Sequence, residues 1–385
     1  MMMPESKPVS DNTVAGAENT TREIAQQPAL WRQVPSRIEP GLSEFVGEII
    51  AKPNARVVLT GAGTSCFAGQ VLAPALRRTL NRRVDAVATT DVVADPSGCL
   101  GEDVPTLLVS FARSGDSPES VAAVGLADQM ITDVRHLVLT CNPEGRLARE
   151  HGAREAAKVV LMPDGANDQG FAMTSSFTTM TLAALLVLAP TFEENLAVKV
   201  ADIGTAVLSG GDAEIRELSQ RAHERVVYLG SGALKGLARE SALKLLELTA
   251  GQVVAIGDSP LAFRHGPKSI LDHRTLVVVY LSNNPYTRTY DLDLLDELRQ
   301  APGGHEVIAV TADHSDAASN MTSWLVPNAT ALSDASLALP AVLFAQNFAL
   351  HSSIARGLTA DNPFPDGQVN RVVEGVRIHP FLLDR

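Results

Sequence analysis

The chain has 385 residues, room for two or three domains at about 100–200 residues each. Hydrophobic residues make up 45% and charged residues 20%, so a sizeable core is expected and wholesale disorder is excluded. Aromatics at 4% and a formal net charge of −12 fit neither a stacking platform for single strands nor a general phosphate-backbone binder, so no nucleic-acid partner is expected.

A small anion site made by backbone amides stays open. The three cysteines, Cys66, Cys99 and Cys141, are widely spaced and form no Cys-x-x-Cys pair. That excludes a disulfide framework or zinc knuckle and suits a reducing cytoplasm. The first residues lack the apolar centre of a signal peptide. Residues 181–190, read as the longest apolar stretch, are too short to span a bilayer, so no membrane partner is expected.

Residues 1–40 are polar and contain several prolines, which reads as an N-terminal tail, loose to about Thr20, with a docking helix over 23–34. From Gly41 short apolar runs alternate with helical stretches. Strands are expected at 56–60, 106–111, 135–141 and 158–163, and helices at 65–80, 118–130, 145–150 and 175–188. This alternation predicts an α/β fold with a mostly parallel, doubly wound sheet flanked by helices. The second half repeats the plan. Val57 and Thr106 align with Val226 and Thr275 at an offset of 169 residues, and Leu137 with Ile308 at 171. The expected organisation is therefore two tandem flavodoxin-like domains at 41–200 and 215–360, a junction near 204–212, and a C-terminal tail at 361–385.

Two strand ends in the first half carry small polar residues. Thr60-Gly-Ala-Gly-Thr-Ser-Cys66 allows a tight turn and sets the hydroxyls of Thr64 and Ser65 beside the free amides of a helix start. Phe111-Ala-Arg-Ser-Gly-Asp-Ser-Pro-Glu-Ser120 places Arg113, Ser114, Ser117 and Ser120 before a helix opened by Pro118. Either loop alone is an ordinary turn. Two of them at consecutive strand ends favour a phosphate monoester held by hydroxyls and amides. There is no Walker A lysine, and the glycines do not match Gly-x-Gly-x-x-Gly.

The second half contains Arg239-Glu-Ser-Ala-Leu-Lys-Leu-Leu-Glu-Leu-Thr-Ala-Gly-Gln252, where Glu240, Lys244 and Glu247 share a helix face. Read alone, that spacing describes a solvated ion-pair face. Eighteen residues after Glu247, His265 stands in the loop Phe263-Arg-His-Gly-Pro-Lys-Ser269. A carboxylate and an imidazole together suit proton transfer beside a carbonyl and the opening of a cyclic sugar. No metal-ligand spacing and no Gly-x-Ser-x-Gly elbow occur.

Gly61-Ala-Gly-Thr-Ser, Arg113-Ser-Gly-Asp-Ser and the tandem repeat resemble the sugar isomerase (SIS) domain family. Ser110–Val124, Met173–Met180, Tyr228–Gly251, Phe263–Ser269, Asn284–Arg299 and Asn370–Pro380 are similar to the tagatose-6-phosphate ketose/aldose isomerase group, also described as galactosamine-6-phosphate deaminase/isomerases. These stretches span almost the whole chain beyond the N-terminal tail. The resemblance, with the isomerase half of glucosamine-6-phosphate synthase as a distant relative, implies roles. Thr64, Ser65, Ser114 and Ser117 would hold a sugar phosphate, with Gly63 and Thr174 also binding substrate. Glu247 would move the proton between C1 and C2, and Lys244 would orient Glu247 and the substrate. His265 would open the ring, either in its own subunit or in a neighbour's.

The pattern departs from the synthase in two places. Ala112 and Arg113 stand where the synthase has serine and glutamine, so Arg113 could add a charged contact to phosphate or a sugar hydroxyl. The tail Asn370-Arg-Val-Val-Glu-Gly375 lacks the synthase's lysine, which leaves that part to Arg371 or to no residue. No amidotransferase domain is present, which favours hydrolytic deamination. The resemblance therefore implies conversion of D-galactosamine 6-phosphate to D-tagatose 6-phosphate and ammonia. No metal or redox cofactor is needed, because an imine/enamine system is its own electron sink. The expected partners are the sugar phosphate and further copies of the chain, as a dimer or tetramer with shared sites. The alternatives are ketose/aldose isomerisation without deamination, a glucosamine 6-phosphate substrate, and a sugar-phosphate sensor without turnover.

Overall fold

The computed structural model describes residues 14–221, 223–317, 322–373 and 375–382. The first sheet is formed by β1 (Arg56–Gly61), β2 (Arg83–Ala88), β3 (Thr106–Ala112), β4 (Val134–Thr140) and β5 (Ala157–Leu161), in the order β2-β1-β3-β4-β5. The second is formed by β6 (Arg225–Gly230), β7 (Val254–Asp258), β8 (Thr275–Tyr280), β9 (Glu306–Thr311) and β10 (Ser323–Leu325), in the order β10-β9-β8-β6-β7. Read from the other edge, this is the same order. Every pairing is parallel. The expected α/β doubly wound architecture and its duplication are both present.

Alternate strand residues face opposite sides. Val57, Leu59, Val226 and Tyr228 face one continuous core that runs through both halves. Val58 and Leu108 face a separate outer core of the first half, and Val227 and Leu229 one of the second. Helices Thr64–Leu80, Ser175–Leu188, Ala233–Leu248 and Asp334–Ala355 fill the shared layer. The halves are therefore fused face to face through the helices that follow β1 and β6. Gly236 marks the closest approach, since a Cβ there would stand 2.6 Å from Val71 N.

The structure bears on three expectations. The junction expected near 204–212 is helical: helices Leu196–Gly210 and Asp212–Ser219 occupy it. Gly204 is small because Trp31 lies on it, 2.5 Å from where a Cβ would be. Most of the tail expected up to Thr20 lies outside the described residues, but helix Glu18–Ala25 already begins within it, with Thr20 buried. Its amino end is capped by Asp361, which accepts from the backbone N–H groups of Asn19 and Thr20 at 2.8 Å each. Third, the longest apolar element is helix Asp334–Ala355. It is long and apolar enough to cross a membrane, but 83% of its apolar window is buried as the spine of the shared core.

Candidate active site

The chain turns from β1 into helix Thr64–Leu80 through Ala62 and Gly63. A Cβ on Gly61 would stand 2.5 Å from the Ser65 Cβ, and Gly63 has φ 54°, so both positions require glycine. From β3 the chain passes through Arg113, Ser114 and Gly115 to Ser117 and helix Pro118–Met130, with Ser117 donating to Ser120 at 2.6 Å. The strand order reverses between β1 and β3, which is the crevice where open α/β sheets hold ligands.

Two adjoining cavities open there. The smaller, about 130 Å³, is lined by Ser65, Ser114, Gly115, Ser117, Ser120 and Arg113. The larger, about 470 Å³, is lined by Gly63, Thr64, Leu243, Leu246, Glu247, Phe171 and Phe364 among others. Ala62, Met173, Arg371 and Val373 border both. One continuous pocket thus has a small hydroxyl-rich end and a wider end with a carboxylate.

Helix Ala233–Leu248 sets Glu247 in the wall of the wider end. Lys244 is fully buried behind it and donates to the Glu247 carboxylate. Glu240, also fully buried, lies 3.7 Å from the same ammonium and close to the Thr64 hydroxyl, and neither of its oxygens has a hydrogen bond of good geometry among the described residues. Burial pushes the Glu240 carboxyl up to about 8, against the pull of Lys244. Burial pulls Lys244 down, but Glu240 and Glu247 outweigh it and leave the ammonium above its ordinary value. At neutral pH a neutral Glu240 leaves the Lys244 charge to Glu247 alone.

The far wall is lined by Phe171, Met173 and the C-terminal segment, and Asp168 holds the chain behind it. The Asp168 carboxylate, fully buried, accepts from the backbone N–H groups of Thr174, Ser175 and Ser176 and caps helix Ser175–Leu188. The hydroxyls of Thr174 (3.0 Å) and Ser176 (2.5 Å) also donate to it. Glu23 accepts from the N–H groups of Gln169 and Gly170, and burial, then Asp168, pushes its carboxyl up to about 7. Arg371 donates to the backbone carbonyl of Asp168, and Arg113 to the backbone carbonyl of Arg371 at 3.2 Å.

Of the expected residues, Gly63, Thr64, Ser65, Arg113, Ser114, Ser117 and Glu247 line the pocket. Lys244 lies behind the wall and reaches the pocket only through Glu247. Thr174 does not line it: its hydroxyl is spent on Asp168. His265 stands apart, exposed, on a loop anchored by buried Phe263 and braced by Arg264 and Lys268, which both pair with Glu297. Asp168, Phe171 and Met173 escaped the reading of the sequence. An Asp a few residues ahead of Thr-Ser-Ser is a cap signal, but it does not announce a pocket wall.

The SIS domain family matches residues 49–190 and 219–352. The chain belongs to that family. Two further SIS proteins cover nearly its full length. A Streptomyces coelicolor protein, provisionally named a D-galactosamine-6-phosphate deaminase, is 56% identical over 98% of both chains. A Shewanella protein named D-galactosamine-6-phosphate deaminase is 42% identical over 96% of this chain and 94% of its own. Among solved SIS structures, that of a protein from Escherichia coli named tagatose-6-phosphate ketose/aldose isomerase superposes with a TM-score of 0.88. It is 43% identical and covers 96% of this chain and 99% of its own.

Proposed function

We propose that this SIS protein converts D-galactosamine 6-phosphate and water to D-tagatose 6-phosphate and ammonia. The observation that carries the reading is the Glu247 carboxylate, backed by Lys244, in a pocket whose other end is lined by serine hydroxyls and helix-start amides. The names borne by relatives 42–56% identical over nearly the whole chain support the amino-sugar substrate.

The phosphate would lie at Ser65, Ser114 and Ser117, which sets C1 and C2 of the open chain toward Glu247. Glu247 takes the proton from C2. The electron pair moves into a C1–C2 double bond and the aldehyde oxygen becomes an enol, giving an enolamine. Return of a proton to C1 makes the ketimine at C2. Water adds to C2, ammonia leaves, and the ketone remains. Lys244 acts as a positioning residue, holding Glu247 in one rotamer and favouring its ionised form.

His265 would open the ring from a second subunit, since its loop points outward from its own pocket. That reading makes a homodimer the smallest active unit, and the three free cysteines favour a cytoplasmic location. The name carried by the Escherichia coli protein supports a second reading, in which the same shuttle acts on a hydroxyl-bearing C2 without ammonia release. Ammonia and ketose phosphate assayed from galactosamine 6-phosphate and glucosamine 6-phosphate separate these. The proposal expects equal amounts of ammonia and tagatose 6-phosphate from the galacto substrate. Isomerisation of tagatose 6-phosphate with no ammonia from either amino sugar would overturn it.

A further inference from the structure

Two arginines meet at the small end of the pocket, and neither forms an ion pair with a carboxylate among the described residues; Asp168 and Glu247 act on Arg113 only at longer range. Arg113 is 6% exposed; its Nη2 donates to the Arg371 backbone carbonyl, while its Nη1 is buried and has no hydrogen-bond partner among the described residues. Burial first, and then the charge of Arg371, weaken its hold on its proton. The Arg371 guanidinium donates to a backbone carbonyl, that of Asp168. The Asp168 carboxylate already takes five donors from residues 174–176, and Glu247 is engaged by Lys244. A desolvated cation without a partner is costly, and that cost is removed when an anion enters.

We propose that Arg113 and Arg371 form a two-arginine clamp for a phosphate dianion, and that the bound dianion fixes residues 369–373 of the C-terminal segment over the pocket. The inference rests on the reading of the serine-lined end as a phosphate subsite and adds what that reading lacks, two positive charges in its lining. At about 130 Å³ the subsite suits one tetrahedral oxyanion. Guanidinium forks match phosphate oxygens. Because Arg113 also holds the Arg371 carbonyl, the two sides close together. The clamp sets a specificity: an uncharged sugar leaves Arg113 Nη1 unpaired, so phosphorylated sugars are selected over free ones.

The test uses inorganic phosphate and needs no turnover, so it can fail while deamination stands, and deamination can fail while it stands. Phosphate affinity is measured by calorimetry for the native chain, Arg113→Gln, Arg371→Gln and the double variant. Each single change should weaken phosphate about tenfold or more, and the double variant should lose less than the product of the two. Without phosphate, Arg113→Gln should melt no lower than the native chain, since it removes an unpaired buried charge. Phosphate should slow tryptic cleavage after Arg371 in the native chain and not in Arg113→Gln. Unchanged phosphate affinity in Arg113→Gln, losses that multiply in the double variant, or equal protection from trypsin in the two chains would each overturn the clamp.

Discussion

At the scale of single residues, the site depends on how three charges on one helix are divided. Glu240 is kept neutral by burial, so Lys244 serves Glu247. The consequence for stability has a definite sign. A carboxyl whose folded value is raised from 4.5 to about 8 contributes stability fully below the lower value, and that contribution is lost as pH rises to the upper one. Glu23, at about 7, and Asp291, at about 6, act in the same direction. Buried His136, His151 and His223, pulled below 6.5 by desolvation, act the other way over the same range, so the Glu240 contribution is read by difference. Between pH 5 and 8 Glu240→Gln should lose less stability, or gain more, than the native chain in denaturant titrations at each pH; an identical pH profile would place the ionised form of Glu240 in the folded state. The spacing of Glu240, Lys244 and Glu247 is legible in the sequence, but their burial is not. Three and four residues apart describe a wet helix face and a dry one equally. Only the packing of Thr64–Leu80 against Ala233–Leu248 decides between them. Thr174 is hard to place for a related reason: a threonine at a helix start serves a cap or a ligand with the same local sequence.

At the scale of elements, the candidate pocket lies at the seam between the two helices that follow β1 and β6. One carries Thr64 and Ser65, the other Lys244 and Glu247. Gly236 sets their separation. Gly236→Ala would put a methyl against the backbone of Gln70 and Val71, at 2.8 and 2.6 Å. We expect it to cost about 1–3 kcal/mol in stability. It should also lower kcat more than the loss of folded protein explains, because Glu247 shifts relative to the phosphate loop. Thermal melts and kinetics on the same preparation check both, and a native melt with native kcat would show that the seam is looser than the structure has it. The central strands β1, β3, β4, β6, β8 and β9 are readable because burial on both faces makes them apolar runs. Among the edge strands, β5 keeps the apolar run Val159-Val160-Leu161 and is readable, whereas β2 and β7 are only part-buried and β10 has three residues, so these three give no clear apolar signal.

At the scale of the whole molecule, the duplication is close in backbone and unequal in use. Gly232 (φ 57°, ψ −120°) repeats the conformation of Gly63 (φ 54°, ψ −124°), so the second half has the same turn after its first strand. Its crevice is occupied by the protein itself. Asp291 accepts from Ser231 Oγ at 2.5 Å and from Ser282 N at 3.0 Å, bridging the ends of β6 and β8. Asp334 accepts from Ser282 Oγ at 2.6 Å and Asn283 N at 2.8 Å. These carboxylates satisfy the donors that an incoming anion would need. We therefore expect phosphate titration to give one site per chain, and two sites would contradict this reading of the second crevice. The outward placement of His265 belongs to the same scale. If it serves a neighbour, mixing inactive His265→Ala and Glu247→Gln chains should restore about a quarter of native activity, since half of randomly paired dimers keep one complete site. Failure to restore any activity in mixed dimers would return His265 to its own subunit.

The central claim is that Glu247 moves the proton that allows ammonia to leave an amino-sugar phosphate. Its most direct test is ammonia and tagatose 6-phosphate release from galactosamine 6-phosphate, for the native chain and Glu247→Gln side by side. The native chain should give equal yields of the two products, and the variant should lose about 100-fold or more in kcat with the sugar phosphate still bound. Native turnover by Glu247→Gln would contradict the claim.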